Sequence, residues 1–255
     1  MIKLVNHPMV VFGASFLCLS LSVWLGRAVA KSRYGLEEDT RKDFDTILAA
    51  TLTLLGLIVG FSFSMALGRY DQRKNLEAEE ANAIGTEYVR VQLLPAADAA
   101  KARSFLLVYL DKRILFYESR NRSELERITA RTAQLQAGLW GAVRAPAVAQ
   151  PQPVAALAVE GMNDVLNSEG YTLAAWQNRI PSAAWALMVA IALLSNLMIG
   201  YGSRAGKGRS FFLLIFPLVV SVAFLLIADI DCPNGGLIQV VPQNLLGLSQ
   251  SLHAR

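Results

Sequence analysis

Three groups of residues in this chain carry side chains that could do chemistry. Asp229 and Asp231 precede the turn Cys232-Pro233-Asn234-Gly235-Gly236, and Glu77, Glu79, Glu80 and Asn82 offer oxygen donors on a helical stretch. The apolar block before them holds Thr51, Thr53, Gly56, Gly60, Ser62, Ser64 and Gly68, with Phe61 and Phe63 between. Hard oxygens suit a divalent cation. Consecutive helical positions point in different directions, however, so a solvated face is the expectation for Glu77 to Asn82. For Asp229 and Asp231 the expectation is structural pairing with Arg69 or Arg73, with ion coordination as the alternative. Small and hydroxylated residues in an apolar helix allow either close helix packing or a water-facing wall. The sharper reading is a pore lined by Gly60, Ser62 and Ser64 and narrowed by Phe61 and Met65. Arg69 and Arg73, one and two turns beyond the block, place positive charge at its end.

Enzymatic constellations are missing. The two histidines, His7 and His253, lie at opposite ends of the chain, so a histidine-based triad or zinc site is not expected. There is no P-loop, dinucleotide turn or nucleophile elbow. Cys18, inside the first apolar block, and Cys232, just past the fourth, offer no metal-ligand spacing and no disulfide framework. No catalytic residue, metal or cofactor is expected.

The elements that position these residues follow from hydropathy. Of 255 residues, 54% are hydrophobic and 17% charged, a membrane composition. Four blocks free of Lys, Arg, Asp and Glu stand out: Pro8 to Leu25, Ile47 to Leu67, Ala183 to Ile199 and Phe211 to Ala228. Each approaches the ~20 residues a helix needs to cross a hydrocarbon core. The expected organisation is 1–68 for the first two spans and their basic loop, 69–180 for a helical extramembrane domain, 181–231 for the third and fourth spans, and 232–255 for a C-terminal tail. Ala28-Val29-Ala30 resembles a signal-peptidase triplet, so a cleaved leader is the alternative to a first span.

The net charge of +4 is not a nucleic-acid signal. Segment 69–180 holds 14 basic and 13 acidic residues, and most of the remaining basic ones flank the spans. No nucleic-acid partner is expected; the lipid bilayer is. Eight basic residues (Arg27, Lys31, Arg33, Arg41, Lys42, Arg204, Lys207 and Arg209) fall in the loops between spans one and two and spans three and four. Five (Lys3, Arg69, Arg73, Lys74 and Arg179) lie near the spans on the other side. That bias places the termini and the insert outside the cytoplasm.

Within 69–180 the apolar residues recur with helical period. One helix is expected from Tyr70 to Leu94, stopped by Pro95, with Leu76, Ile84, Tyr88 and Val91 on one face and Glu77, Glu79, Glu87 and Arg90 mostly elsewhere. Others are expected over 98–118 and 123–144, followed by a proline-interrupted break over Ala145 to Pro153. The last runs over Val154 to Ile180 on a stripe through Val154, Leu157, Met162, Val165, Leu173, Trp176 and Ile180. The second span should continue as one rod into the insert, and the last insert helix should run into the third span with a kink at Pro181.

Taken together, Gly60-Phe61-Ser62-Phe63-Ser64, Arg69-Tyr70, Arg73, Glu80-Ala81-Asn82-Ala83-Ile84-Gly85-Thr86 and Asp229-Ile230-Asp231 resemble a family of bacterial membrane proteins called bestrophin-like domain proteins, from about residue 45 to 252. The resemblance marks Glu80, Asn82, Gly85, Asp229 and Asp231 as motif positions. It implies an all-α, four-span, homo-oligomeric protein of the bacterial inner membrane, pentameric by analogy with bestrophins, conducting inorganic anions along an axis lined by the second span. It also places the termini and insert in the cytosol, against the charge count. Cys232 stands where the family's Asp-Arg-Pro pattern has a basic residue, and no calcium clasp is matched, so calcium gating is not implied. The rival expectation is a non-conducting scaffold or sensor whose helical insert binds a protein partner.

Overall fold

The computed structural model describes residues 7–32, 38–203 and 207–254. Lys3, Arg33 and Arg204 of the charge count lie outside the described residues. Among those residues there is no strand, and the chain is all-α. The helices are α1 (Pro8–Ser32), α2 (Glu38–Arg90), α3 (Ala96–Glu118), α4 (Arg122–Ala149), α5 (Pro153–Gln177), α6 (Ser182–Gly202), α7 (Ile215–Asp231) and α8 (Gln243–His253), with 3-10 turns over Val91–Leu93 and Lys207–Leu214. Four of the helical stretches are long and apolar enough to cross a membrane.

The chain divides into two compact units, Met1–Gly68 with Arg179–Ile238, and Arg69–Asn178 with Gln239–Arg255. In the first unit α1 packs against α6 and α7. Lipid supplies no hydrophobic drive for helix association, so close backbone approach must hold such a bundle together. Gly26 and Gly200 provide it. A Cβ on Gly26 would sit 2.0 Å from the Leu197 carbonyl oxygen, and one on Gly200 would sit 2.0 Å from that of Val23. One turn away, the Ser22 hydroxyl donates to the Leu193 carbonyl at 2.7 Å. The α1 helix passes unbroken through Ala28-Val29-Ala30.

The second unit is built on a conventional apolar core. Leu106, Leu110, Ile114 and Tyr117 of α3 and Leu125, Ile128, Leu135 and Leu139 of α4 are buried in it, as their periodicity predicts. The stripe on α5 differs. Val154 and Leu157 are exposed, and the buried seam runs through Ala155, Ala158, Gly161, Met162, Val165 and Thr172. Small residues face inward there because the neighbouring helices come close. The expected break from Ala145 also moves: α4 continues through Pro146 to Ala149. Burial of Pro146 in the core offsets the hydrogen bond that a proline removes from a helix interior.

Two further expectations change. Between α5 and α6 the chain breaks over Asn178–Pro181 instead of kinking. The residue before a proline is steered out of the helical region, and the freed Ile180 N–H donates to Asp231. The region 232–255 also contains α8, whose Leu245 is fully buried.

Candidate functional site

α2 carries most of the residues singled out by sequence, and its 53 residues form one helix of about 80 Å. Its buried positions are Leu55, Ser62, Ala66, Arg73, Glu77, Glu80, Ala81, Ile84 and Glu87. Apart from Ala81, beside Glu80, they recur at intervals of seven, four and three, the period of one helix face. The opposite face is exposed through Leu57, Gly60, Phe61, Ser64, Gly68, Asp71, Asn75, Asn82, Thr86 and Val89.

The candidate residues divide between these faces. Gly60, Phe61, Ser64 and Met65 are exposed in the single chain, with Phe61 64% accessible. Ser62 is 3% exposed and belongs to the seam. Arg69 is half-buried and Arg73 almost fully buried, so the two differ in their access to an outward surface. The glycines of the outward face do not serve packing within the protomer: a Cβ added at Gly56, Gly60 or Gly68 meets nothing within 4 Å, in contrast to Gly26 and Gly200. The Thr51 and Thr53 hydroxyls are turned back onto the carbonyls of Ile47 and Ala49, the usual way a polar side chain settles in an apolar helix.

The acidic residues beyond the span are not a solvated face. Glu79 is exposed, but Glu77 and Glu80 are buried. Glu77 caps α8: its carboxylate accepts the Asn244 and Leu245 N–H groups at 3.0 and 2.9 Å and the Asn244 side-chain amide at 2.6 Å. A carboxylate at a helix N-terminus satisfies orphan donors and meets the positive end of the dipole. Glu80 accepts from Arg113 Nε and Nη2, from the Tyr117 hydroxyl at 3.3 Å and from the Thr172 hydroxyl at 3.4 Å. Arg113 also faces Glu169, at 3.8 Å, and lies over the Phe116 ring at 4.4 Å. Burial works against the charge on Arg113, but Glu80 more than offsets it, so the guanidinium stays protonated. Burial and then the Glu80 charge push the Tyr109 phenol up, and Tyr117 is raised by the same causes in the same order. Among the described residues no group of acidic, histidine or cysteine side chains has the arrangement to hold a metal.

Most of the Glu80-to-Thr86 string has a structural account. Glu80 and Ile84 face the core, and Gly85 lies under Leu248 of α8, where a Cβ would come within 3.1 Å of its methyl group. Asn82 and Thr86 face outward and line an open groove of about 500 Å³ with Arg90, Leu248 and Leu252.

Asp229 and Asp231 each accept hydrogen bonds from groups that sequence did not name. Asp229 accepts the Leu237 and Ile238 N–H groups at 2.7 and 2.9 Å and so shapes the turn after α7. A Cβ on Gly236 would come within 2.6 Å of the Asp229 carbonyl oxygen, which is why glycine stands there. Asp231 accepts from Arg179 Nε at 3.0 Å and from the Ile180 N–H. The signal for Arg179 was its place beside Pro181, where the chain must turn and its backbone donors need partners.

An all-α chain with four membrane-length apolar helices and a separately cored helical unit defines the class: a helical membrane protein. The chain belongs to the Bestrophin-like domain family, which it matches over residues 13–245. It is similar in fold to crystal structures of a bacterial bestrophin homolog from Klebsiella pneumoniae. One single-substitution variant is 14% identical with a TM-score of 0.64, covering 92% of this chain and 98% of that one. A second variant is 13% identical with a TM-score of 0.64, covering 94% and 97%. The form solved by zinc anomalous phasing is 14% identical with a TM-score of 0.62, covering 92% and 98%. No curated protein matches the sequence.

Proposed function

We propose that this chain is a homo-oligomeric channel of the bacterial inner membrane, pentameric by analogy, that passes inorganic anions along an axis lined by the outward face of α2. The observation that carries this reading is the use of glycine. Gly26 and Gly200 are filled by backbone from the neighbouring helix, whereas Gly56, Gly60 and Gly68 face open space beside the exposed Phe61. A helix face of small residues, hydroxyls and one large ring, left uncovered by its own protomer, suits a wall that other copies complete. Phe61 and Met65 form the constriction, which opens by wetting. Gly60 and Ser64 leave room for water, and Arg69 supplies positive potential at the end of the span.

The test is flux through purified protein in liposomes. Anion-dependent flux that is absent from protein-free vesicles supports the proposal. An inert protein that still assembles favours a scaffold whose helical unit binds a protein partner.

A further inference from the structure

Glu87 has no part in the channel reading. It is fully buried, and neither carboxylate oxygen has a hydrogen-bond partner. It lies twenty residues past Leu67, about 30 Å along the helix, well outside the apolar span. The helix opposite has been shaped around it. Gly161 of α5 sits so close that a Cβ there would fall 2.0 Å from Glu87 Oε2 and 2.9 Å from Arg90 Nη1. Glycine inside a helix is less favourable than alanine, and the space taken by the Glu87 carboxyl accounts for it here.

A buried carboxylate without donors is strongly disfavoured, whereas a neutral carboxylic acid is tolerated. The charged groups facing Glu87 do not change that balance. Arg90, on the same helix, is itself 3.8 Å from Asp164 of α5, so its charge is shared with a second acid. Glu160, next to Gly161, is exposed. The 3-10 turn Val91–Leu93, which also packs on α5, carries no titratable side chain.

We propose that Glu87 is a proton-binding site: it holds a proton at neutral pH, and losing that proton loosens the packing of α5 on α2 at Gly161. Burial pushes the Glu87 carboxyl from 4.5 up to about 8, with Arg90 opposing the rise and Asp164 adding to it. The sign of the pH effect follows. Between those two values the folded state holds a proton that the unfolded chain has released, so stability falls as pH rises through this window and is lowest above it. The site does not depend on whether the chain conducts.

The experiment is infrared spectroscopy and thermal unfolding of the full-length protein in detergent from pH 5 to pH 9, for the natural chain and for Glu87→Gln. The natural chain should show a protonated-carboxyl C=O band at pH 7 that disappears near pH 8. Glu87→Gln should lack that band and lose the part of the alkaline fall in unfolding midpoint that the natural chain shows. A band unchanged in Glu87→Gln, or an unaltered pH profile, overturns the proposal. Should Glu87→Gln not fold, the natural chain decides alone: a carboxyl band titrating near 8 supports the site, and none at pH 7 refutes it.

Discussion

Arg113 of α3 and Glu80 of α2 face each other through two hydrogen bonds with neither side chain reaching solvent. Breaking a buried pair by removing one partner leaves an uncompensated charge and typically costs about 3–5 kcal/mol, whereas replacing both partners with apolar residues is often nearly neutral. Glu80→Leu alone and Arg113→Met alone should each lower the unfolding free energy by about that range. The double variant should recover much of the loss. Chemical unfolding of the four proteins as a double-mutant cycle reads the coupling; additive losses would show that the pair is not a unit.

The Gly26–Gly200 crossing gives a second outcome. Alanine at either position forces a methyl group into a carbonyl oxygen of the neighbouring helix, and overpacking of this kind costs about 1–3 kcal/mol. Gly13→Ala, where an added Cβ meets nothing within 4 Å, should leave the protein as stable or slightly more so. Thermal midpoints in detergent distinguish the three.

On the outward face of α2, Phe61→Ala should raise resting anion flux in liposomes by widening the constriction. Ser62→Ala, one residue on, should leave flux close to that of the natural chain, because Ser62 is 3% exposed and faces into the protomer. Equal effects of the two substitutions would mean that the exposed stripe is not the wall.

Charge selection is tested at Arg69. Arg69→Glu should lower the anion-to-cation permeability ratio measured from reversal potentials, and an unchanged ratio removes Arg69 from the proposal. Arg73 is a poorer site for charge reversal, because it is 1% exposed and a carboxylate buried there would act on folding.

Asp231→Asn should weaken the Arg179 contact and the Ile180 N–H bond. A hydrogen bond to a charged group contributes about 1.5–3 kcal/mol, so the unfolding midpoint should drop while the permeability ratio stays fixed. A shift in the ratio without loss of stability would instead point to ion coordination.

The four membrane-length apolar helices and the unbroken run of α2 from Glu38 to Arg90 were legible because length and hydropathy alone set them. Most of the candidate site was harder to read. Glu77, Glu80 and Glu87 look like a solvated face because carboxylates are rarely buried unless paired. Their partners (the α8 N-terminus for Glu77, and Arg113, Tyr117 and Thr172 for Glu80) lie far away in sequence. The interval pattern from Arg73 to Glu87 held the information, since it is the core-facing period of the same helix. α8 was missed because Asn244, Gly247 and the two serines dilute its leucines, and its N-terminus is capped by Glu77, a residue from a distant helix. The α5 seam was misplaced because sequence favours Val154 and Leu157 over the smaller Ala155 and Ala158, while close helix approach favours the reverse.

The central claim is that copies of this chain assemble around an axis walled by the outward face of α2. Single-particle imaging of purified protein in nanodiscs tests it most directly. A channel of this kind should show a ring of subunits with Gly60, Phe61 and Ser64 bordering a continuous central path. A monomer, or an assembly in which α2 faces lipid and no axial path exists, would contradict it.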